Sequence, residues 1–181
     1  MKNSIISVFT VCACIITSTQ LFAKGKFTIA SNDVKGGATI SEDYVYNQMG
    51  CTGKNKSPEL HWTNAPAETK SFAVTVYDPD APTGSGFWHW IAYNIANTKT
   101  SLPTGVQASA GGFSEISSDF GAAPYGGPCP PTGKPHKYVF TVHALKVEKL
   151  ELPAGATNAI ARFMIEGSTI AKAQFAAKYG K

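Results

Sequence analysis

Two proline-rich segments constrain the fold of this chain more than any other feature of its sequence. The first is residues 78–82 (Asp-Pro-Asp-Ala-Pro), which leads into residues 88–90 (Trp-His-Trp). The second is residues 126–131 (Gly-Gly-Pro-Cys-Pro-Pro), followed by residues 136–138 (His-Lys-Tyr). Because proline fixes φ and removes a backbone donor, each segment should hold one turn conformation beside a strand. A rigid turn that presents carboxylate and imidazole groups is typical of the wall of a small-ligand pocket.

Five stretches have the composition of β-strands, and the clearest of them is apolar on both faces. In residues 71–78, the even-numbered positions from Phe72 to Asp78 share one face, and the odd-numbered positions from Ala73 to Tyr77 share the other. This pattern favours a strand that is covered on two sides. The predicted strands are residues 26–30, 57–62, 71–78, 88–95 and 136–145.

One helix is predicted, over Thr157 to Lys178. Apolar residues recur there at three- and four-residue spacing, at Ile160, Phe163, Met164, Gly167, Ile170 and Ala171. Strands followed by a helix indicate a mostly-β or α+β single domain, which we place at residues 24–181. Residues 103–135 have few helix or strand signals, and a loop of such length in a compact domain is usually functional.

The first 23 residues have the pattern of a secretory signal peptide. Lys2 precedes an apolar stretch from Ile5 to Ile16, and the small residue Ala23 stands at the expected cleavage site. The stretch is short for a bilayer-spanning helix, which needs about 20 residues. An N-terminal membrane anchor is the alternative. We therefore expect a periplasmic or secreted protein that is not an integral membrane protein.

Cys51 and Cys129 are the cysteines that remain after such a cleavage. In an oxidising compartment an even pair is a candidate disulfide. For a loop of this length the chain-entropy description assigns it roughly 4 kcal/mol. The alternative is two separate buried thiols; a metal pair is disfavoured because Cys129 lies between prolines without a CxxC partner. The sequence predicts a disulfide and no metal site.

The charge pattern argues against nucleic-acid binding. The formal net charge is +4, and the basic residues are spread along the chain rather than clustered. Arg162 is the single arginine, so a site for anions has to rely on His, Lys and backbone N–H groups.

The two proline-rich segments and the residues after them resemble the signature of the phosphatidylethanolamine-binding protein family, in its bacterial branch of Raf-kinase-inhibitor-like proteins. The resemblance extends from about Phe27 to about Tyr179. It implies a single-domain antiparallel β-sandwich with peripheral helices, including a C-terminal helix. It also implies pocket residues at Asp78, His89, His136 and Tyr138, with a rim shaped by Asp80, Pro82, Gly127 and Pro128.

Strand alternation favours grouping these pocket residues. His136 and Tyr138 point to one face of their strand, and Asp78 ends its strand where the turn begins. His89 should point away from its neighbours Trp88 and Trp90. Partly protonated imidazoles would then hold an anionic headgroup, a nearby carboxylate raising their pKa, while the carboxylate meets a ligand ammonium group.

Each of these residues also has a structural interpretation. Asp78 could simply cap the turn, Asp80 could be a turn residue, and His89 could be a core histidine. His61 and His143 match no motif, and we interpret both as structural.

Two classes of function follow. The first is a binding module without a cofactor, which holds a phosphoethanolamine-like, phosphate-like or phospholipid headgroup, or the anionic group of a protein partner. The second is an enzyme, such as a hydrolase with metal on Asp78, His89 and His136, but the chain has no GxSxG or HExxH motif. The resemblance adds inhibition of a protease or kinase. Residues 102–120 are the candidate segment for protease inhibition, whereas an exported protein would not meet the kinases of its own cytoplasm. We expect a binding protein rather than an enzyme.

Overall fold

The computed structural model describes residues 25–121 and 124–180. The predicted signal peptide, residues 1–23, lies outside the described residues. The described part contains eight strands, two α-helices and one 3₁₀ helix, Glu42–Tyr44. The strands and α-helices are β1 Thr28–Ala30, β2 Leu60–Thr63, β3 Ser71–Asp78, β4 Phe87–Ala96, β5 Ser101–Leu102, α1 Ala108–Gly111, β6 Ser114–Ile116, β7 His136–Leu145, α2 Asn158–Ser168 and β8 Thr169–Tyr179.

The strands form two antiparallel sheets with the main core between them. The smaller sheet has the order β1-β2-β5, and the larger has the order β6-β4-β3-β7-β8. Trp62 of the small sheet packs on Phe72 of the large sheet, with ring centroids 5.2 Å apart. On the outer face of the large sheet, Ile91 and Leu145 pack with Ala161 and Ile165 of α2. The central strands are therefore covered on both faces, and the predicted mostly-β fold with a helix near the C-terminus is confirmed.

The predicted extent of the C-terminal helix is wrong. The helix begins after Thr157, whose side chain accepts a hydrogen bond from the backbone N–H of Ile160, and it ends at Ser168. Residues 169–179 instead form β8, which pairs with β7 along its length. In β8 the less exposed side chains alternate with exposed ones such as Lys172 and Gln174. Alanine, lysine and glutamine favour helices, but the backbone partners that β7 offers override that preference.

A register shift in the β3–β4 pair corrects the predicted orientation of Trp90. Val76 lies opposite Trp90, but the next residue, Tyr77, lies opposite Trp88, so His89 is an extra residue in β4. Such a bulge changes the side-chain alternation locally. Trp88 packs on the outer face as predicted, whereas Trp90 is in the main core.

A disulfide joins Cys51 to Cys129, as predicted, with 6.0 Å between their Cα atoms. Near it, the backbone N–H of Tyr46 donates to the carbonyl of Pro128 (3.1 Å). The bridge therefore ties the loop after the 3₁₀ helix to the second proline-rich segment. None of the helices in the described part of the chain is long and apolar enough to cross a membrane.

Candidate functional site

A cleft of about 500 Å³ opens at one end of the large sheet. Asp78 is the last residue of β3, Phe87 is the first of β4 and His136 is the first of β7. Because these neighbouring strands are antiparallel, all three residues lie at the same end of the sheet. The titratable side chains of the cleft come from Asp78, His89, His136 and Tyr138, and Thr83 and Thr132 add hydroxyl groups. The remaining lining is mostly apolar and includes Met49, Ala81, Pro82, Phe87, Phe120, Pro130 and Pro131. The cleft thus has a polar floor and an apolar rim.

The first proline-rich turn is fastened to β7 through two carboxylates. Asp78 Oδ2 lies 2.7 Å from His136 Nδ1, and Asp78 Oδ1 accepts from the backbone N–H of Asp80 (2.8 Å). Asp80 Oδ2 in turn accepts from the backbone N–H of Lys137 (2.8 Å). Asp78 therefore caps the turn and orients His136 at the same time. It is both the turn residue and the pocket residue that the sequence offered as alternatives.

His89 is held by the second proline-rich segment. Its Nδ1 donates to the carbonyl of Gly126 (2.6 Å), and its own carbonyl accepts from the N–H of Gly126 (2.9 Å). Burial lowers the pKa of His89, and the opposing effects of the Gly126 carbonyl and the Asp78 charge are smaller. The prediction of a carboxylate-raised, partly protonated imidazole is wrong for this residue. The ring packs against the aromatic side chains of Phe87, Phe120 and Tyr138.

The Tyr138 hydroxyl is buried, and it makes no hydrogen bond of good geometry to any described residue. Burial raises the pKa of Tyr138, and the neighbouring Asp78 carboxylate raises it further through its charge and as an acceptor close to the hydroxyl, so the hydroxyl keeps its proton. Buried polar side-chain atoms nearly always have a partner. A hydroxyl of this kind at the floor of a cleft is a point at which a ligand or water can complete the hydrogen bonding.

Most of the predicted site residues meet in the cleft, and three do not line it. Asp80 lines a neighbouring hollow of about 320 Å³, which also includes Lys134. Gly127 and Pro128, predicted at the rim, are instead buried. The Gly127 N–H donates to Asn55 Oδ1 (2.8 Å), and a Cβ at Gly127 would collide with the carbonyl of Tyr44. Both residues pack against the loop after the 3₁₀ helix rather than facing the cleft.

Sequence reasoning missed the apolar half of the site. Phe87 directly precedes the Trp-His-Trp segment and could have been included on that ground. Phe120 and Met49 carry no local signal, because the sheet and the disulfide bring their loops to the cleft. Asp119 was also missed; its Oδ2 accepts from the N–H of Trp88 (2.7 Å) and fixes the start of β4.

The two histidines predicted to be structural lie outside the cleft. His61 Nδ1 bonds to Glu59 Oε1 (2.8 Å) on the small sheet, and His143 is buried on the outer face of the large sheet. Within residues 25–121 and 124–180, no group of three or more His, Cys, Asp or Glu side chains is arranged to hold a metal ion.

The whole described domain matches a known family. The sequence pattern described as "Phosphatidylethanolamine-binding protein" matches residues 30–180. The chain belongs to the phosphatidylethanolamine-binding protein family.

Bacterial relatives cover nearly all of the chain. It is 44% identical to the UPF0098 protein YbcL of Escherichia coli K12, over 99% of this chain and 98% of that protein. It is 42% identical to YbhB of the same strain, over 83% of this chain and 98% of YbhB. The crystal structure of E. coli YbcL, described as a new member of the mammalian PEBP family, superposes with a TM-score of 0.82 at 43% identity, covering 87% of this chain and 99% of that one.

Proposed function

We propose that this chain is an exported binding protein whose cleft holds a small anionic or zwitterionic group, such as a phosphate or phosphoethanolamine headgroup. Its family supports a binding role. The observation that carries the proposal is the convergence of Asp78, His89, His136 and Tyr138 at the floor of one cleft. His136 bonds to Asp78 through Nδ1, so its Nε2 can serve a ligand.

The lining of the cleft favours binding over catalysis. Nucleophilic catalysis usually needs a Ser or Cys held by a base. The cysteine at the cleft, Cys129, is in the disulfide, and no serine is among the described residues that line the cleft. The hydroxyl of Thr83 is already used, because it donates to the carbonyl of Gly86 (2.5 Å).

The segment considered for protease inhibition is folded rather than extended. Residues 102–120 contain α1 and β6, and Leu102 and Phe113 anchor them in the main core. No observation at this segment favours inhibition over ligand binding.

Export is the part of the proposal that rests on the N-terminal pattern, and the disulfide supports it because such bonds persist in oxidising compartments. Intact-mass measurement of the protein recovered from its own compartment tests it. We expect a chain that starts close to residue 24, with both cysteines oxidised. A chain that retains its N-terminus and two free thiols would contradict export.

Two histidine–carboxylate pairs provide a matched test of the site. His136 pairs with Asp78 in the cleft, and His61 pairs with Glu59 outside it, both through Nδ1. Calorimetric titration with phosphoethanolamine should show His136→Gln weakened at least tenfold, about 1.4 kcal/mol. His61→Gln should bind like the unmodified protein. Equal affinities in all three proteins would place the ligand elsewhere, and native mass spectrometry of the purified protein would then identify what it carries.

A further inference from the structure

Resting on the proposed function, we propose that the cleft selects oxyanions that carry their own proton. It binds a phosphate monoester as the monoanion, whose P–OH donates a hydrogen bond to His89, and discriminates against oxyanions that lack such a proton. The inference follows from the direction of the hydrogen bonds at the floor of the cleft.

His89 faces a ligand as an acceptor. A carbonyl oxygen cannot donate, so the bond to the Gly126 carbonyl places the proton of the neutral ring on Nδ1. Nε2 then carries a lone pair. The carbonyls of Gly126 and Gly127 both act on the His89 ring, and the hydrogen bond to Gly126 is made by Nδ1, so Nε2 is the acceptor nitrogen of the ring that lines the cleft.

The carboxylate at the floor adds further acceptor capacity. Asp78 accepts from the Asp80 N–H and lies 2.7 Å from Nδ1 of His136, which donates to it. When His136 is neutral, its Nε2 is therefore a second acceptor. The Nδ1 protons of His89 and His136 are directed at the Gly126 carbonyl and at Asp78, so among these four side chains the Tyr138 hydroxyl, which its raised pKa keeps protonated, is the remaining donor. The floor has more acceptors than donors, and a ligand with an acidic O–H matches that excess.

The charged groups around the floor are acidic. Asp78 and Asp119 act on His89, and Asp78 and Asp80 act on Tyr138. A dianion would meet these carboxylates with two negative charges, and like charges brought together are unfavourable. The monoanion carries one negative charge less and supplies a hydrogen-bond donor. The weaker charge repulsion and the added hydrogen bond both favour binding of the monoanion over the dianion.

The remaining titratable neighbours do not reverse this balance. Tyr179, which also acts on Tyr138, has its pKa raised to about 12, chiefly by burial. No Lys or Arg is among the described residues that line the cleft, and Lys134 belongs to the neighbouring hollow. The one group that could become cationic at the floor is His136. A protonated His136 would attract any oxyanion, whether or not that oxyanion carries a proton. An oxyanion without a proton therefore distinguishes attraction by a charged His136 from selection of the ligand's own proton.

Phenyl phosphate and phenyl sulfate are a matched pair of probes, since both offer a ring to the apolar rim. The sulfate ester is a monoanion without a proton at all pH values used. The phosphate ester changes from monoanion to dianion with a pKa of about 6. Titration calorimetry of the full mature protein at pH 5.5, 6.5 and 7.5 should show phenyl phosphate losing affinity, on the order of 25-fold across the range. At pH 5.5, phenyl sulfate should bind at least tenfold more weakly than phenyl phosphate. Thermal melts at each pH confirm that the protein stays folded.

The other outcomes separate this inference from the proposed function. If both esters gain affinity in parallel as the pH falls, His136 protonation is responsible, and the inference is overturned while anion binding stands. If phenyl phosphate binds equally at every pH, the inference is also overturned. Glycerophosphoethanolamine is a diester without a P–OH, so binding as tight as that of phenyl phosphate would overturn the inference and identify a lipid headgroup as the ligand source. Failure of every probe to bind would reject the proposed function itself.

Discussion

His89 and His143 are both almost completely buried, at 3% and 1% exposure, yet they lie on opposite faces of the large sheet and differ in their hydrogen bonding. On the outer face, His143 Nδ1 bonds to Thr169 Oγ1 and Nε2 accepts from Arg162, each at 3.2 Å. On the inner face, His89 donates through Nδ1 to the carbonyl of Gly126, and the carbonyl of Gly127 also acts on the ring. Burial is the same in the two places, so burial does not mark the site. The two rings differ instead in their hydrogen bonds and in the cavity beside them, which is about 500 Å³ at His89 and about 210 Å³ at His143.

The surroundings of the two rings show the same contrast. Arg162 donates to Glu166 (2.5 Å) and lies 4.8 Å from the ring centroid of Trp88. Its Nε is the one buried polar atom of this outer cluster that makes no hydrogen bond to the described residues. Burial, followed by the charge of Arg162, lowers the pKa of His143 to about 3. The inner face opens to the larger of the two cavities, the cleft of about 500 Å³. The comparison predicts that variants on the outer face change stability, whereas variants at the cleft floor change binding.

The largest effect should come from Phe140→Ala, which tests whether the inner face itself divides into core and site. Phe140 shares its strand face with His136 and Tyr138 but is 2% exposed and stacks on Phe175, with centroids 4.9 Å apart. Truncating a buried phenylalanine costs about 3–5 kcal/mol. Phe163→Ala is the matched control, since Phe163 is 77% exposed and should change stability by less than about 0.5 kcal/mol. Urea denaturation of both variants measures this, and a mild effect of Phe140→Ala would mean that the cleft extends to this residue.

His143→Ala should follow, with a loss of about 2–4 kcal/mol. The change leaves a void and removes a partner from both Arg162 and Thr169. Phosphoethanolamine affinity of the folded fraction should not change, because the cleft lies across the sheet. Chemical denaturation and calorimetry on the same sample measure the two quantities. Weakened binding with intact stability would reverse the roles assigned to the two faces.

Acid should destabilise the protein through these buried histidines. The folded pKa of His143 is about 3, whereas an unfolded chain has an ordinary value near 6.5. Between these values the unfolded chain binds more protons, so the stability that is present above about pH 6.5 falls as the pH drops toward 3. The slope is at most about 1.4 kcal/mol per pH unit for one histidine, and His89 acts in the same direction. Denaturant midpoints between pH 7 and 4 should fall less steeply for His143→Gln than for the unmodified protein, and equal slopes would contradict a buried neutral His143.

The sequence predicts some elements fully because their signals are local. The bounds of β3 and β7 are those predicted, since β3 ends at the first proline-rich turn and β7 begins shortly after the second proline-rich segment. The end of α2 was missed because β8 is rich in helix-forming residues and becomes a strand only through pairing with β7. The sequence also carries no signal for the bulge at His89, because the bulge depends on how β3 and β4 align.

The same distinction holds in the site. The motif residues Asp78 and His136 were predicted from their turns and meet as expected. The protonation of His89 was predicted wrongly because it depends on burial and on a carbonyl far along the chain, that of Gly126. Spacing indicates which groups can meet, but only the packed structure determines which of them remain without partners.

The smallest change in stability should come from Tyr138→Phe, and its matched control is Tyr125→Phe. Both hydroxyls are buried, but that of Tyr125 donates to the carbonyl of Tyr44 (2.9 Å), whereas that of Tyr138 lies near the Asp78 carboxylate without a hydrogen bond of good geometry to any described residue. Removing a satisfied hydroxyl costs about 1 kcal/mol, while removing an unsatisfied one is close to neutral or stabilising. Phosphoethanolamine binding should show the reverse order, with Tyr138→Phe weakened about fivefold to tenfold, the loss of one hydrogen bond at about 1 kcal/mol. Tyr125→Phe should bind normally. If Tyr138→Phe destabilises the protein as much as Tyr125→Phe does and leaves binding intact, the hydroxyl is bonded within the fold, and the contrast between the two faces of the sheet no longer holds.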